Sequence, residues 1–326
     1  MDVVASEQQH GRLGRLALSR GTVDRATERR SDTAWLDRAW ADPGTRVLVV
    51  HDGRALARES KPGSGGLELL FVPPGQAPEG TRFLLGVDDD GTAYFGVSGA
   101  DAGATIRSGY KGFEPVGLRQ AGAMLSDRDA GLLTHAVALA NWHDSHTHCP
   151  RCGTPTVPAR AGHLTSCPND GTEHFPRVDP AVIMLVTDPD DRCLLARNAI
   201  WPQRRMSVLA GFVDPGESAE HAVAREVFEE TAIEIGRIEY LGSQPWPMPR
   251  SLMLGFRAVA AGGQRITCDE TEIAEARWFT RAELRSALDA GELAIAPTSS
   301  IARRLIEFWH GGELPDGSGP PAAPAR

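Results

Sequence analysis

No apolar stretch in the 326 residues approaches the ~20 that a membrane span needs. The opening MDVVASEQQHGRLGR has no continuous apolar core of the kind a secretory leader carries. Cysteine is scarce, at five residues, and with no leader in sight a disulfide framework is not expected to hold the fold. Positive charge is in deficit. The formal net charge of −9 speaks against a chain built mainly to grip phosphate backbones. It leaves nucleotide substrates open, because a bound cation can neutralise them. No internal repeat is visible. These absences give the expectation of a cytoplasmic protein without a membrane segment.

What is present looks globular, with 41% apolar and 24% charged residues and length for two domains or three small units. Residues 1–30 are polar and Arg-rich and read as a frayed arm. Residues 31–126 read as a small α+β domain, with strands at 47–50 and 67–72. Strands at 82–87 and 93–97 flank Asp88-Asp89-Asp90-Gly91, a hairpin signal. Residues 112–117 read as a linker. Over 127–146, Leu132, Leu133, Ala136, Val137, Leu139, Ala140 and Trp142 follow helical spacing and predict a connecting helix. A cysteine-bearing module at 147–178 comes next.

The main domain is expected over 179–312. It has strands at 181–186 and 193–196 around the turn Asp188-Pro189-Asp190-Asp191, further strands at 252–260 and 276–279, and helices at 282–288 and 301–309. The Pro/Gly-rich tail 313–326 predicts disorder.

The densest signal is GFVDPGESAEHAVAREVFEETAI, residues 211–233. Gly211, Pro215 and Gly216 punctuate a loop, Ser218 can cap a helix start, and good helix formers follow to Thr231. Glu226, Glu229 and Glu230 then crowd one helix face at i, i+3 and i+4. Their mutual repulsion costs a few tenths of a kcal/mol per pair, roughly. Hard divalent cations offset it well, taking oxygens from carboxylates and from phosphates, and Arg225 can orient one carboxylate through a bidentate contact. For an arbitrary Glu-Glu pair, a solvated acidic face with Arg225–Glu229 pairing is the commoner situation.

Cys149-Pro150-Arg151-Cys152 and Cys167, with fourteen residues between the last two, approach the spacing of a zinc ribbon. The fourth position holds Asp170. Zinc accepts carboxylate oxygen, so Asp170 is the first candidate for the fourth ligand, with His148, His163 and His174 as rivals. A ribbon-shaped hairpin without metal is the competing reading. Nucleic-acid binding here is disfavoured, because basic and aromatic residues do not interleave around the cluster.

Downstream runs Gln244-Pro245-Trp246-Pro247-Met248-Pro249-Arg250-Ser251. Three alternating prolines predict a stiff, extended course that fixes the directions of Trp246, Met248 and Arg250. Trp246 could stack on a nucleobase or a nicotinamide ring, and Gln244 and Ser251 could bond ring edges or ribose. Taken alone, such a segment is more often a packed surface loop.

The spacing of Gly211, Glu217, Arg225-Glu226-Val227, Glu229-Glu230 and Ala232-Ile233 resembles the Nudix box, departing from it only at Ala232, where Gly is usual. HCPRCG, HFPRVDPAVIML, this box and SQPWPMPRSLM occur in that order. Together they resemble the NADH pyrophosphatase family of Nudix hydrolases from roughly Trp142 to Trp309.

The resemblance implies a C-terminal Nudix α/β/α sandwich with a mixed sheet, a zinc-ribbon-like insert and a smaller α+β N-terminal domain. It implies Mg²⁺ or Mn²⁺ on Glu226, Glu230 and Glu272 with the Ala210 carbonyl, and Glu229 as a third box ligand or a base. The base stays open between Glu229 and Glu272. Residues Gln244 to Ser251, with Phe175 and Ala302, would line a dinucleotide pocket. Asp170, where the family usually has Cys, puts a structural Zn²⁺ in question but not the hydrolase site.

The implied reaction is hydrolysis of NADH or NAD⁺ to nicotinamide mononucleotide and AMP, with removal of NAD caps from RNA 5′ ends as a second activity. A homodimer is implied as well. One alternative is a Nudix hydrolase for another diphosphate such as ADP-ribose. Another is an inactive Nudix domain acting as a ligand sensor, which the intact set Arg225, Glu226, Glu229 and Glu230 disfavours.

Overall fold

The computed structural model describes residues 12–315 except 264 and 270. It divides into two compact units. The first comprises residues 18–178 and 245–251, and the second takes the rest. The outer parts of the expected arm and tail, 1–11 and 316–326, lie outside the described residues.

The first unit contains α1 (Thr33–Ala41), β1 (Arg46–Val49), β2 (Arg54–Glu59), β3 (Leu67–Leu69), β4 (Phe71–Val72), β5 (Thr81–Val87), β6 (Ala93–Ser98), α2 (Ala100–Ser108), β7 (Glu114–Gly117), α3 (Leu118–Ala121) and α4 (Asp127–Ser145). One sheet has the order β4-β1-β6-β5 and is mixed, since β1 runs parallel to β6. The other, β3-β2-β7, is antiparallel. The expected hairpin forms between β5 and β6.

Three expectations need correction here. The strand expected over 67–72 breaks at Leu70, so that β3 pairs with β2 while β4 pairs with β1. Residues 114–117 are not linker but β7, an edge strand, where Pro115 costs no sheet hydrogen bond on its open side. Within the arm, Leu18 is buried in the core of the first unit, while Leu13 and Leu16 are buried in the second. Each such leucine contributes about 1.5–3 kcal/mol of apolar burial, which anchors an otherwise polar stretch.

Helix α4 starts where its sequence signals it, with the Ser126 hydroxyl accepting the Asp129 N–H at 3.2 Å. Leu132, Leu133, Ala136, Val137, Leu139 and Ala140 are all buried in the core of this unit. The cysteine module follows as a three-stranded sheet, β10-β9-β8, from β8 (Val157–Ala159), β9 (Leu164–Ser166) and β10 (Glu173–His174).

The second unit contains β11 (Asp179–Thr187), β12 (Cys193–Asn198), β13 (Leu209–Phe212), α5 (Ala219–Thr231), β14 (Ile235–Trp246) up to Gln244, β15 (Ser251–Ala260) from Leu252, β16 (Ile273–Phe279), α6 (Arg281–Asp289) and α7 (Ile301–His310). Its sheet runs β14-β15-β11-β12-β16, with β13 on β11. Strand β11 is apolar on both faces because both are covered. Val182, Met184 and Val186 pack with Ala222, Val223 and Val227 of α5. Ile183 and Leu185 pack with Leu284 and Leu288 of α6 and Leu305 and Ile306 of α7. This is the α/β/α sandwich the sequence implied. No helix among the described residues is long and apolar enough to cross a membrane.

Candidate active site and metal centres

Helix α5 begins at Ser218, whose hydroxyl accepts the His221 N–H at 3.2 Å, and ends at Ala232 in the left-handed region, φ 55° and ψ 24°. Ala232 thus occupies the position where glycine is cheapest. The reason is local. The Ala232 N–H bonds back to the Phe228 carbonyl at 2.7 Å, and buried Ile233 must turn into the core.

One face of α5 carries the carboxylates past the end of β13. Gly211 there leaves room for a carboxylate: a Cβ built on it would lie 1.8 Å from the Glu226 Cδ and would displace that side chain. Arg225 uses every donor it has. Its Nε and Nη2 hold the two oxygens of Glu217, both at 2.9 Å. Its Nη1 holds Glu226 and Glu229, each at 2.9 Å, and Nη2 also donates to the Phe212 carbonyl at 2.9 Å. The bidentate partner is therefore Glu217, a residue of the motif to which sequence reading gave no role. Its fixed spacing from Arg225 was the available signal. Arg225 thus does pair with Glu229 on the helix surface, and it clamps the loop, Glu226 and Glu217 at the same time.

The charges divide sharply. The Arg225 hydrogen bonds hold the Glu217 carboxyl at about 2. Glu226 is raised, mainly by burial. Glu230 is pushed up to about 8, first by burial and then by the charges of Glu226, Glu272 and Glu229. Only 8% of Glu230 is exposed, and its Oε2 has no partner within the described structure. A buried carboxylate with an unpaired oxygen and three acidic neighbours is unfavourable as an anion unless a cation joins it. Glu226, Glu230 and Glu272 fit a hard divalent ion. Glu229, 56% exposed in its side chain, faces outward beside them. Ala210, paired with Ile183 across β13 and β11, is exposed next to Gly211.

In the cysteine module, the ligand atoms of Cys149, Cys152, Cys167 and Asp170 all lie within 4.8 Å of one another. Two like turns present them. Gly153 N–H bonds to the Cys149 carbonyl and Gly171 N–H to the Cys167 carbonyl, both at 2.9 Å, with φ 73° and 72° at the two glycines. Asp170 thus occupies the place that Cys152 holds in the first turn. Its Oδ1 accepts the Thr172 N–H at 2.9 Å, which helps hold its pKa at about 2, and its Oδ2 lies 3.9 Å from the Cys149 Sγ. Of the three rivals, His148 Nδ1 bonds Thr147 at 2.8 Å and His163 Nε2 bonds the Leu84 carbonyl at 2.8 Å, while His174, whose Nε2 is buried without a partner, does not join the four-residue cluster. A closed three-sulfur, one-oxygen donor set fits Zn²⁺ in a structural role.

The proline–tryptophan segment does not run extended throughout. Strand β14 ends at Trp246, and residues 247–250 turn, with a cis Met248–Pro249 bond, before β15 begins at Ser251. The sequence pattern could not show that the prolines close a hairpin. Pro245 to Ser251 belong to the first unit. Trp246 and Met248 pack against that unit's core, Arg119 lies over the Trp246 ring at 5.6 Å, and Asn141 Nδ2 donates to the carbonyls of Pro247 at 2.8 Å and Pro249 at 3.3 Å. Pro247 is buried, while Arg250 is half-buried and Pro249 exposed.

Gln244 was expected to bond ligand edges. It is fully buried, and its amide donates to the Ser299 carbonyl at 3.0 Å. Ala302, 3% exposed, lies in the core at the start of α7. Phe175, 59% exposed, follows β10 in the first unit.

Comparison with known proteins covers nearly the whole chain. Residues 177–298 match the NUDIX domain family, 144–175 the NADH pyrophosphatase zinc ribbon domain, and 44–142 the NADH pyrophosphatase-like rudimentary NUDIX domain. A Mycobacterium bovis protein named NAD-capped RNA hydrolase NudC is 42% identical over 310 residues, covering 90% of this chain and 94% of that one. The Homo sapiens NAD-capped RNA hydrolase NUDT12 is 40% identical over 197 residues, covering 57% of this chain and 42% of that one. Among solved structures, a NUDIX hydrolase from Nitrosomonas europaea matches over 52% of this chain and 95% of that one, with 22% identity and a TM-score of 0.41.

Proposed function

This chain belongs to the NADH pyrophosphatase family of Nudix hydrolases, and from that premise we propose that it cleaves the diphosphate bridge of NAD(H), giving nicotinamide mononucleotide and AMP. The same cleavage on an NAD-capped RNA removes the cap, the activity for which its mycobacterial relative is named. The observation that carries the reading is the gathering of Glu226 and Glu272 about buried Glu230, one of whose oxygens is unpaired, with Arg225 holding Glu226.

Mg²⁺ or Mn²⁺ is the cation proposed for these carboxylates. When bound, it supplies positive charge against the diphosphate oxygens and lowers the pKa of water. The chain's own residues do the positioning. Gly211 leaves room for the Glu226 carboxylate. Arg225, itself pinned by Glu217, fixes Glu226 and Glu229 relative to the loop. A carboxylate at the edge of the cluster accepts the proton of the attacking water, and Glu229 and Glu272, both exposed, are the two that solvent reaches. Zn²⁺ is proposed for the module at 147–178, where it would brace the fold without touching the reaction. The family resemblance also supports a homodimer, which light scattering tests, and the composition of the chain supports a cytoplasmic setting, which cell fractionation tests.

Purified protein incubated with Mg²⁺ and, in parallel, NADH, NAD⁺, ADP-ribose and NAD-capped RNA tests the reading by chromatography of the products. AMP with reduced nicotinamide mononucleotide from NADH supports it. Cleavage of ADP-ribose with NADH untouched would show that the substrate reading is wrong.

A further inference from the structure

The acidity of the chain is unevenly spread. The second unit has 16 Lys and Arg against 24 Asp and Glu, a net charge of −8, whereas the first has 18 against 19, a net charge of −1. The net acidity of the whole therefore does not argue against anion binding on the first unit.

Within that unit the chain leaves one sheet and joins the other at Leu70, between β3 and β4. A cleft of about 460 Å³ opens at this break, lined among others by Arg46, Arg58, Arg128, Phe71, Tyr94 and Phe113. Its size falls within the ~300–1,000 Å³ common for small-ligand sites. The Arg58 guanidinium lies 4.7 Å above the Phe113 ring and Arg128 lies 5.7 Å from that of Tyr94, while Phe71 meets Tyr94 edge-on at 5.5 Å. The Arg46 residue is exposed, and its side chain makes no ion pair or hydrogen bond among the described residues. Two carboxylates share the wall: Glu68 accepts from Arg58 at 2.5 Å, and Asp90 accepts the Thr92 N–H at 2.8 Å. A second cavity of about 350 Å³ also reaches Asp90 and Thr92 and adds Trp35 and Arg38.

Each part of this lining matches one part of a nucleotide. Aromatic and guanidinium faces stack bases regardless of their identity. A free guanidinium takes a phosphate in fork geometry. Carboxylates accept hydrogens from ribose hydroxyls and exocyclic amines, which a bare-anion site would not require. We propose that the cleft of Arg46, Arg58, Arg128, Tyr94 and Phe113 binds a nucleoside phosphate, with Trp35 and Arg38 serving the adjoining nucleotide. The phosphate comes either from a free mononucleotide or from the body of an RNA chain. This cleft shares no residue with the carboxylate cluster, and its occupancy does not depend on hydrolysis.

The test is fluorescence anisotropy of a labelled hexa-adenylate RNA with a 5′-hydroxyl, in buffer without added divalent cation. Wild type is compared with Arg46→Glu and with Phe113→Leu, which keeps an apolar side chain but removes the ring. Thermal melts and NADH turnover of both variants run alongside and are expected to match wild type. Arg46→Glu is expected to weaken binding by about ten-fold and to lower the salt slope by about one. Phe113→Leu is expected to weaken it by about five-fold or more, the scale of a lost stacking contact.

Displacement of the label by AMP would identify the free nucleotide as a sufficient ligand, and its failure would assign the site to the RNA chain. Absence of wild-type binding, or binding that Arg46→Glu leaves unchanged, overturns the proposal. So does a loss with Arg46→Glu that Phe113→Leu does not share, which would reduce the cleft to an anion patch.

Discussion

Arg225 holds Glu217 through two parallel hydrogen bonds of 2.9 Å, Nε to Oε1 and Nη2 to Oε2, while the same guanidinium reaches Glu226 and Glu229. The loop carboxylate thus positions the arginine, and the arginine positions Glu226, the one metal-facing glutamate it touches, together with Glu229. Glu217→Gln keeps the shape but loses charge and one acceptor oxygen, so Arg225 keeps its geometry only in part. The expected result is a fall in kcat of about 10–100-fold, the range for outer partners of a metal site, with Tm changed little. Steady-state kinetics on NADH beside a thermal melt checks this.

Ala232 closes α5 with φ 55°, a conformation that costs a non-glycine residue about 1 kcal/mol. Ala232→Gly is therefore expected to stabilise the protein by about 0.5–1 kcal/mol and leave kcat unchanged, since no carboxylate moves. Denaturant titration reads the gain. A loss of stability would mean that the methyl group contributes packing that exceeds the backbone cost.

Glu230 gives a pH signature in the metal-free protein. Its folded pKa, about 8, lies above the ordinary value of 4.5. The folded state therefore holds the proton more tightly, and its contribution to stability is full below about 4.5 and is lost as pH rises to about 8. The loss is on the order of a few kcal/mol at most. Stripped of divalent ions, the protein is expected to melt lower at pH 8 than at pH 5.5 through this group. Mn²⁺ is expected to raise Tm more at the higher pH, and Glu230→Gln to remove most of the slope. Melting curves across that pH range, with and without Mn²⁺, decide it.

Asp170 presents one oxygen toward Cys149 and ties the other to the Thr172 N–H. Zinc content measured by mass spectrometry is expected to be near one per chain in wild type, to persist in Asp170→Cys, and to drop in Asp170→Ala. NADH turnover is expected to survive in Asp170→Cys. Zinc retained fully in Asp170→Ala would remove Asp170 from the ligand set.

The legible parts of the sequence were those in which one physical demand dominates. Helix α4 followed its leucines and alanines to Ser145, and β11 was plain because both of its faces are buried. The glutamates of α5 were legible because the whole spacing from Gly211 to Ile233 resembles the Nudix box, whereas three carboxylates on one face would alone read equally well as solvated surface. Strand β14 was hidden, since Gly236, Arg237 and Glu239 carry no alternation that marks a strand. Strand β7 was hidden by Pro115, which an edge tolerates. Trp246 could be read as a ring to stack on a base, yet its packing within the first unit depends on residues more than a hundred positions away, such as Arg119. The role of Glu217 was unread for a like reason: the loop that brings it to Arg225 exists only once α5 and β13 are in place.

The most direct test of the account compares wild type and Glu230→Gln with NADH at saturating Mn²⁺, following AMP by chromatography. The account predicts AMP and reduced nicotinamide mononucleotide from wild type. It predicts a rate at least about a thousand-fold lower in the variant, a loss of roughly 4 kcal/mol of transition-state stabilisation, with the fold intact by circular dichroism. A folded Glu230→Gln protein that turns over NADH at the wild-type rate would contradict it, because the buried unpaired carboxylate would then have no part in the reaction.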